Sequence, residues 1–556
     1  MKHLFKSFLS IILLLTTAVA VATCGTGGCG SSGFSNGCST ACDAVDCDDN
    51  CTDNCCDDTI FCKTHFSPRS QGSDTARRLV GSHLYEHQFD MDKLYGTFAA
   101  TFAYQRNFRT NELAAYFAPK CKPCDGCVVL GADSTNGIDV RSQDFGLSCT
   151  GKVCPSPRYS SFIADLQWWV GLSEWCPGTF FELYIPVVYT SVDYNCCPTL
   201  GKNVGDVCAE TFPDNLMSVT TGSEKSNVGT TKLDDALRGN FVWGDVENPL
   251  NYGKQCCNNL SKTRVADLQF NLGYDFWQTE NYHLGLKIIA KAPTGNVAEA
   301  KYLLEPIVGN GGHFELGGGL TASAILWDKD VDQQFSWHLE ADITHLFNSR
   351  LQTRVFDLKN NGCYSRYLLL KKFGTDTNGE PTLDGLERGP NVFKSCVKIQ
   401  AGAQVDLTSL WSYRYTCWNL DLAFNFWSRS QEKITNNKNC CQIPDKTYGI
   451  KGLLGMTGTQ ALQTASKATI SDATDDDSNL PLSDDTTTFV GCQDLNLCSG
   501  LAPSALSYAA VGNITYLWEE NDWQPYFGVG GKAEFSGKGN RALNQWAVWA
   551  KGGITF

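Results

Sequence analysis

Residues 265–290 alternate apolar and polar side chains with a strict period of two. Ala266, Leu268, Phe270, Leu272, Tyr274 and Phe276 alternate with Asp267, Gln269, Asn271, Gly273 and Asp275, which is the pattern of a strand with one apolar and one polar face. After the link Gln278-Thr279-Glu280-Asn281, the residues Tyr282, Leu284, Leu286, Ile288 and Ala290 face one way, and His283, Lys287 and Lys291 the other. So short a link makes the two arms an antiparallel hairpin. An apolar sheet face must be covered, and segments able to form a second, helical layer are scarce here. A closed barrel with lipid outside and water inside uses the same alternation without any second layer.

The pattern recurs along the chain. Strands are predicted at 93–108, 159–175, 180–194, the two arms of 265–290, 313–327, 334–347, 395–407, 415–429, 504–518, 523–535 and 543–556. That makes twelve, or fourteen if 128–146 hides another hairpin. Short turns at Cys176, Gln278, Asp328, Trp411 and Glu520 alternate with long connections at 107–158, 195–264, 293–312, 348–394 and 430–503. An even strand count with short turns on one side and long loops on the other is the plan of outer-membrane barrels. The barrel's two ends then fall on the short-turn, periplasmic side. Trp175, Trp277, Trp327, Trp411, Trp518 and Trp523 lie beside the short turns, where an aromatic girdle would sit. Pro186, inside the strand 180–194, removes a ladder donor and predicts a bulge.

Residues 1–22 read as a cleaved signal peptide, with Lys2 and Lys6 before an apolar core and small residues at Ala18, Ala20 and Ala22. No later apolar run is long enough for a membrane helix. The 27 cysteines fit an exported protein in an oxidising compartment. Residues 23–65 combine cysteines with aspartates and few large apolar residues, so they cannot build a core; this segment is expected in the periplasm, poorly ordered. Its cysteine spacing, from Cys38 to Cys56, matches no standard zinc pattern, and no metal or cofactor is expected. Residues 66–92 form a lead-in with one short helix, capped by Ser73 and stopped by Gly81; 93–556 form the barrel. Cys196 and Cys197 bracket a long loop with Cys256 and Cys257, and pairing across its base avoids the strain of bonding neighbours. Cys440 or Cys441 with Cys492 or Cys498 would staple the loop at 430–503 in the same way. The net charge of −14, without a basic stripe, argues against nucleic acid.

The segments FSPRSQGSDTARRLVG (66–81), HLGLKIIAKAPTGN (283–296), LLEPIVGNGGHFELGGGLTASAILW (303–327) and CSGLAPSALSY (498–508) resemble a family of large, exported, cysteine-containing outer-membrane barrel proteins associated with the Dependentiae bacteria. The resemblance spans 66–556 and implies an outer-membrane location. The family has no assigned activity, so it brings no functional residues, and the cysteine cluster before Phe66 departs from its pattern. The last strand alternates up to the terminal Phe556, which resembles the signal read by the barrel-assembly machinery.

With the apolar faces in lipid, the opposite faces line the lumen. They present Asp165, Glu182, Asp267, Asp275, Glu315, Glu340, Asp342, Asp406, Asp421 and Glu534, against Lys287, Lys291, Lys398, Lys532 and Lys551. An acidic lumen favours cations, so a passive, cation-preferring pore for small hydrophilic solutes is expected. A structural or adhesive envelope protein with a plugged lumen, crosslinked between copies by disulfides, is the competing expectation. Ser336, His338, Glu340 and Asp342 share one strand face and invite a hydrolase reading, but any barrel strand places polar residues so, and no enzyme is expected. His345 falls on the apolar face near a strand end. The aspartates at 475–477 and 484–485 lack calcium-loop spacing, and the glycines at 309–319 lack the lysine and helix of a phosphate loop.

Overall fold

The computed structural model describes residues 60–556 apart from 90–92, 119–125, 132–138, 201–211, 213–215, 219–228, 256–258, 331–332, 360, 376, 380, 436–440, 452–488, 519–522 and 538–539. The signal peptide, the cysteine cluster before Ile60, Cys256, Cys257, Cys440 and the aspartates at 475–477 and 484–485 lie outside the described residues. So do the side chains of Cys196 and Cys197.

Twelve strands close into one antiparallel barrel. They are β1 Tyr95–Asn107, β2 Arg158–Gly171, β3 Thr179–Asp193, β4 Leu268–Gln278, β5 Tyr282–Ala292 and β6 Glu315–Asp330. They continue with β7 Gln333–Leu346, β8 Gly402–Tyr415, β9 Trp418–Arg429, β10 Ala505–Leu517, β11 Pro525–Ser536 and β12 Gln545–Thr555. Each pairs with the next, and β12 returns to β1 from Thr97 opposite Thr555 to Asn107 opposite Gln545. Closure leaves the ring of twelve without an edge, as a transmembrane barrel requires, and a further short strand, Leu260–Val265, adds to the upper part of β3. Outward side chains are apolar and exposed, Leu422 at 56% and Ile288 at 62%, whereas the inward ones alternating with them are buried.

One strand departs from its predicted place. Residues 395–407 were the expected eighth strand, turning near Trp411, but β8 starts at Gly402 and turns at Thr416 and Cys417. The alternation runs on through Ser412, buried, and Tyr413, exposed, so Trp411 lies within the strand and Trp418 flanks the turn. Ser395 and Cys396 pair instead with Thr353 and Arg354 outside the barrel. Gly402, with φ of 68°, redirects the chain between the two. Val128–Gly131 and Val140–Arg141 join a separate sheet with Gly151–Pro155 and Cys196–Leu200, so the barrel count stays at twelve.

The long connections fold into a cap rather than trailing as loops. Leu369–Thr375 pairs with Pro381–Arg388 and Tyr448–Ile450. Beside this sheet Phe356, Leu358, Leu368, Leu370, Phe393, Ile399, Val490 and Leu495 form an apolar core. Disulfides Cys62–Cys363, Cys127–Cys154 and Cys441–Cys492 cross the cap, and Cys149 and Cys498 are also bonded. Cys176, Cys396 and Cys417 are free.

Candidate functional site in the barrel lumen

The lumen is occupied by the chain's own amino-terminal segment. At the long-loop mouth Cys62 is bonded to Cys363, its amide donates to the Ala118 carbonyl at 2.9 Å, and Phe66 packs edge-on against Tyr159. From there the segment descends through the barrel to His87 beside Asp275, at the short-turn mouth where β1 begins. Residues 60–65, expected on the periplasmic side, therefore lie at the mouth opposite to Phe556. The chain must cross the lumen because β1 starts at the short-turn end while the residues before Phe66 are covalently held at the other.

Inside the barrel the segment forms a short α-helix, α1 Thr75–Leu79, and a 3-10 turn at Ser82–Leu84. Asp74, not Ser73, caps it, accepting from the Arg77 amide at 3.2 Å, and a side-chain oxygen there satisfies an amide that the helix leaves unpaired. Gly81, with φ of 74°, ends the turn and donates its amide to Asp421 at 3.1 Å. Three arginines project to the wall with their side chains buried. Arg69 bridges Asp406 and Glu534, both at 2.9 Å. Arg77 meets Asp165 at 2.7 Å. Arg78 meets Glu182 at 3.4 Å and Asp342 at 2.9 Å, and also holds Glu340. Removing one partner of such a buried pair costs about 3–5 kcal/mol, because the other charge is left uncompensated.

The remaining predicted lumen residues join this network, with one exception. Lys287 pairs with Asp342 at 2.8 Å and with Glu340, Lys291 with Glu315 at 3.1 Å, and Lys532 with Asp74 and Glu534, each at 2.8 Å. Lys551 donates to the Arg78 carbonyl at 2.5 Å. Lys398 is the exception: it precedes β8 and is exposed, since the barrel strand begins only at Gly402. Asp267 accepts from Ser70 Oγ at 3.0 Å and from the Asn310 amide at 2.7 Å, so the glycine-rich stretch folds inward over the segment instead of cradling phosphate.

Asp267 reaches the segment because of Pro186. The ladder between β3 and its neighbour breaks between Tyr184 opposite Gln269 and Val187 opposite Val265, next to the residue that cannot donate. Asp267 takes a left-handed φ of 58° at this bulge. Gly72 packs against the same place, where a Cβ would lie 2.5 Å from the Ala266 carbonyl oxygen. Only glycine allows so close an approach of the two backbones.

Ser336 Oγ lies 2.9 Å from His338 Nε2, so the two are in hydrogen-bond reach. The carboxylate that would orient such a base is engaged elsewhere: Glu340 is held by Arg78 and Lys287. His345 is exposed on the outer face beside Phe347. The residues that the sequence reading missed are Arg69, Arg77 and Arg78. Their signal was present in the acidic excess of the wall, which demands counter-cations from elsewhere in the chain.

The sequence matches no protein-family model and no curated protein. Among solved structures it is similar to an outer membrane channel from Pseudomonas putida F1, at 9% identity over 83% of this chain and 96% of that one, with a TM-score of 0.32. It is similar to a Pseudomonas aeruginosa FadL homologue at 8% identity over 88% and 99%, TM-score 0.28. The beta domain of the Bordetella autotransporter BrkA matches at 8% identity over 84% and 100%, TM-score 0.23. The barrel assignment rests on this chain's own strand pairing.

Proposed function

We propose that the chain is a bacterial outer-membrane transport barrel, closed at rest by its own amino-terminal segment and passing small hydrophilic solutes when that segment shifts. The observation that carries this reading is the polarity of the segment's seat. Arg69, Arg77 and Arg78 meet the wall through ion pairs and hydrogen bonds, and groups of this kind are rehydrated when water enters; the apolar contact of Ala76, Leu79 and Val80 with wall residues such as Ile163, Val188 and Leu410 fills the rest of the seat. With the arginines displaced, the wall would present its carboxylates to the conduit, and a cation preference follows. Export through a cleaved signal peptide and insertion through the strand ending at Phe556 belong to the same proposal.

A second reading, a structural envelope protein with a permanently plugged lumen, is favoured by one observation. Cys396 is free and exposed, available to join neighbouring molecules.

Single-channel conductance in a planar bilayer under a salt gradient separates the two. The oxidised parent protein is expected to be silent, and Arg77→Ala and Arg78→Ala to give steps with a cation-biased reversal potential. Steady large steps from the parent would overturn closure at rest. Silence from the parent and both variants, all shown to be inserted, would leave the structural reading, which further expects disulfide ladders on non-reducing gels.

A further inference from the structure

Two arginines are buried at the long-loop mouth around one carboxylate. Arg354 lies on the cap strand Gln352–Val355 and Arg429 at the last position of β9, 2% and 4% exposed. Glu432, also buried, lies 3.5 Å from Arg354 Nη2, and its Oε2 accepts from the Ala502 amide at 2.9 Å. The charges of both arginines act on it. Glu315, the other carboxylate that acts on Arg429, is already matched by Lys291 at 3.1 Å. The cluster therefore holds two cations against one anion.

Its hydrogen bonding is unbalanced in the same sense. Arg354 Nε and Nη1, Arg429 Nε, Trp427 Nε1 and Ser395 Oγ are all buried without a partner. Ser395 stands directly opposite Arg354 in the ladder and so shares its face. Trp427 lies two residues before Arg429 on β9, with the Arg429 guanidinium 5.7 Å from the centre of its ring. Each of these atoms can donate a hydrogen bond, whereas neither oxygen of Glu432 is buried without a partner. What the cluster lacks is an acceptor, and unsatisfied donors in a buried place require an explanation. Burial, opposed by Glu432 and reinforced by Arg429, pulls the Arg354 guanidinium down to about 10, as expected of a cation short of counter-charge.

We propose that Arg354 and Arg429 hold one small monovalent anion of the halide class at this junction. The excess of one positive charge calls for an anion rather than water, because a buried charge is stable only when paired. A carboxylate or phosphate would ask one guanidinium for two parallel N–H groups. Both such forks of Arg354 include Nη2, which faces Glu432, so the remaining nitrogens donate singly. A spherical ion accepts single donors from separate side chains. Arg429 also donates to Ser67, from Nη1 to Oγ at 2.8 Å and from Nη2 to the carbonyl at 3.3 Å. The ion therefore ties the cap, the barrel rim and the upper end of the lumen segment together, and the site stands whether or not the barrel conducts.

The test uses the mature, oxidised full chain in detergent, with bromide as the probe. In crystals of the parent grown in sodium bromide, anomalous scattering is expected to place one bromide against the Arg354 guanidinium. Water at that place, or its closure by the protein's own groups, would overturn the proposal. In solution, with bromide replacing gluconate at constant ionic strength, the parent's melting temperature is expected to rise by about 1 °C for each tenfold increase in bromide above the dissociation constant. Lys398→Gln, an exposed cation of the cap, should rise with the parent, and Arg354→Gln should stay flat. Equal rises in all three would be a bulk salt effect and would overturn the site. The crystal measurement needs only the parent, so a failure of Arg354→Gln to fold leaves the proposal open to refutation.

Discussion

The protein has two interiors built on opposite principles. Within the barrel, Arg69, Arg77, Arg78 and Lys532 lie buried among carboxylates. Within the cap, Phe356, Leu368, Leu370 and Phe393 lie buried among one another. The difference follows from what surrounds each. The barrel strands must present apolar residues outward to lipid, and the two-residue period then frees the inward positions for charged and polar side chains, which share the interior with an apolar cluster that includes Ile163, Val188, Leu410 and Trp549. Their charges have to be met by a segment carrying opposite ones. The cap stands in water, so burying apolar surface drives its folding in the ordinary way.

The contrast can be broken most strongly at Arg78. Arg78→Ala leaves Glu182, Glu340 and Asp342 short of a cation, so the seat of the segment should weaken by about 3–5 kcal/mol. Denaturant unfolding in detergent should show the loss, and the conductance of the variant should rise. Leu370→Ala is the matching lesion in the cap, where truncating a fully buried leucine costs about 2–5 kcal/mol. Hydrogen exchange should quicken in 369–388 and 448–450 while the barrel amides stay protected. Comparable exchange in both regions would mean that the two interiors unfold as one.

The outer face supplies a third environment. Leu422→Arg places a charge on an exposed position of β9 and should destabilise the inserted barrel by about 2–4 kcal/mol near the bilayer midplane, an effect absent for the same change on the cap's surface. The smallest effect is expected from acid. Burial alone would raise the Glu432 carboxyl, but the charges of Arg354 and Arg429 hold it below the ordinary carboxylate value. Its contribution to stability is therefore present above the unfolded value of about 4.3 and is lost as pH falls through the lower folded value. Cap unfolding should become easier below that value in the parent and show a weaker pH dependence in Glu432→Gln.

Much of the barrel was legible because period-two alternation is a local property. Phe98, Phe102 and Tyr104 declare the lipid face of β1 without reference to anything distant, and Asp165 or Asp406 declares a lumen face equally well. The eighth strand was misplaced for the same reason. Alternation extends on both sides of Gly402, and only pairing with β7 and β9 decides which stretch enters the barrel. The cap was read as loops because its strands are short and its partners remote: Leu370 pairs with Ile450 across a long insertion.

The sequence by itself determined a closed antiparallel barrel, the place of most of its strands, its lipid face and the acidic character of its wall, since each follows from side-chain alternation along a strand; the count of twelve and the place of β8 were decided by pairing. Only the tertiary structure decided that the lumen is filled, that Arg69, Arg77 and Arg78 meet those acids, and that His87 comes to lie beside Asp275 and His283. These contacts join residues up to hundreds of positions apart, and their partners are chosen by the path of the amino-terminal segment through the barrel, which no local pattern encodes.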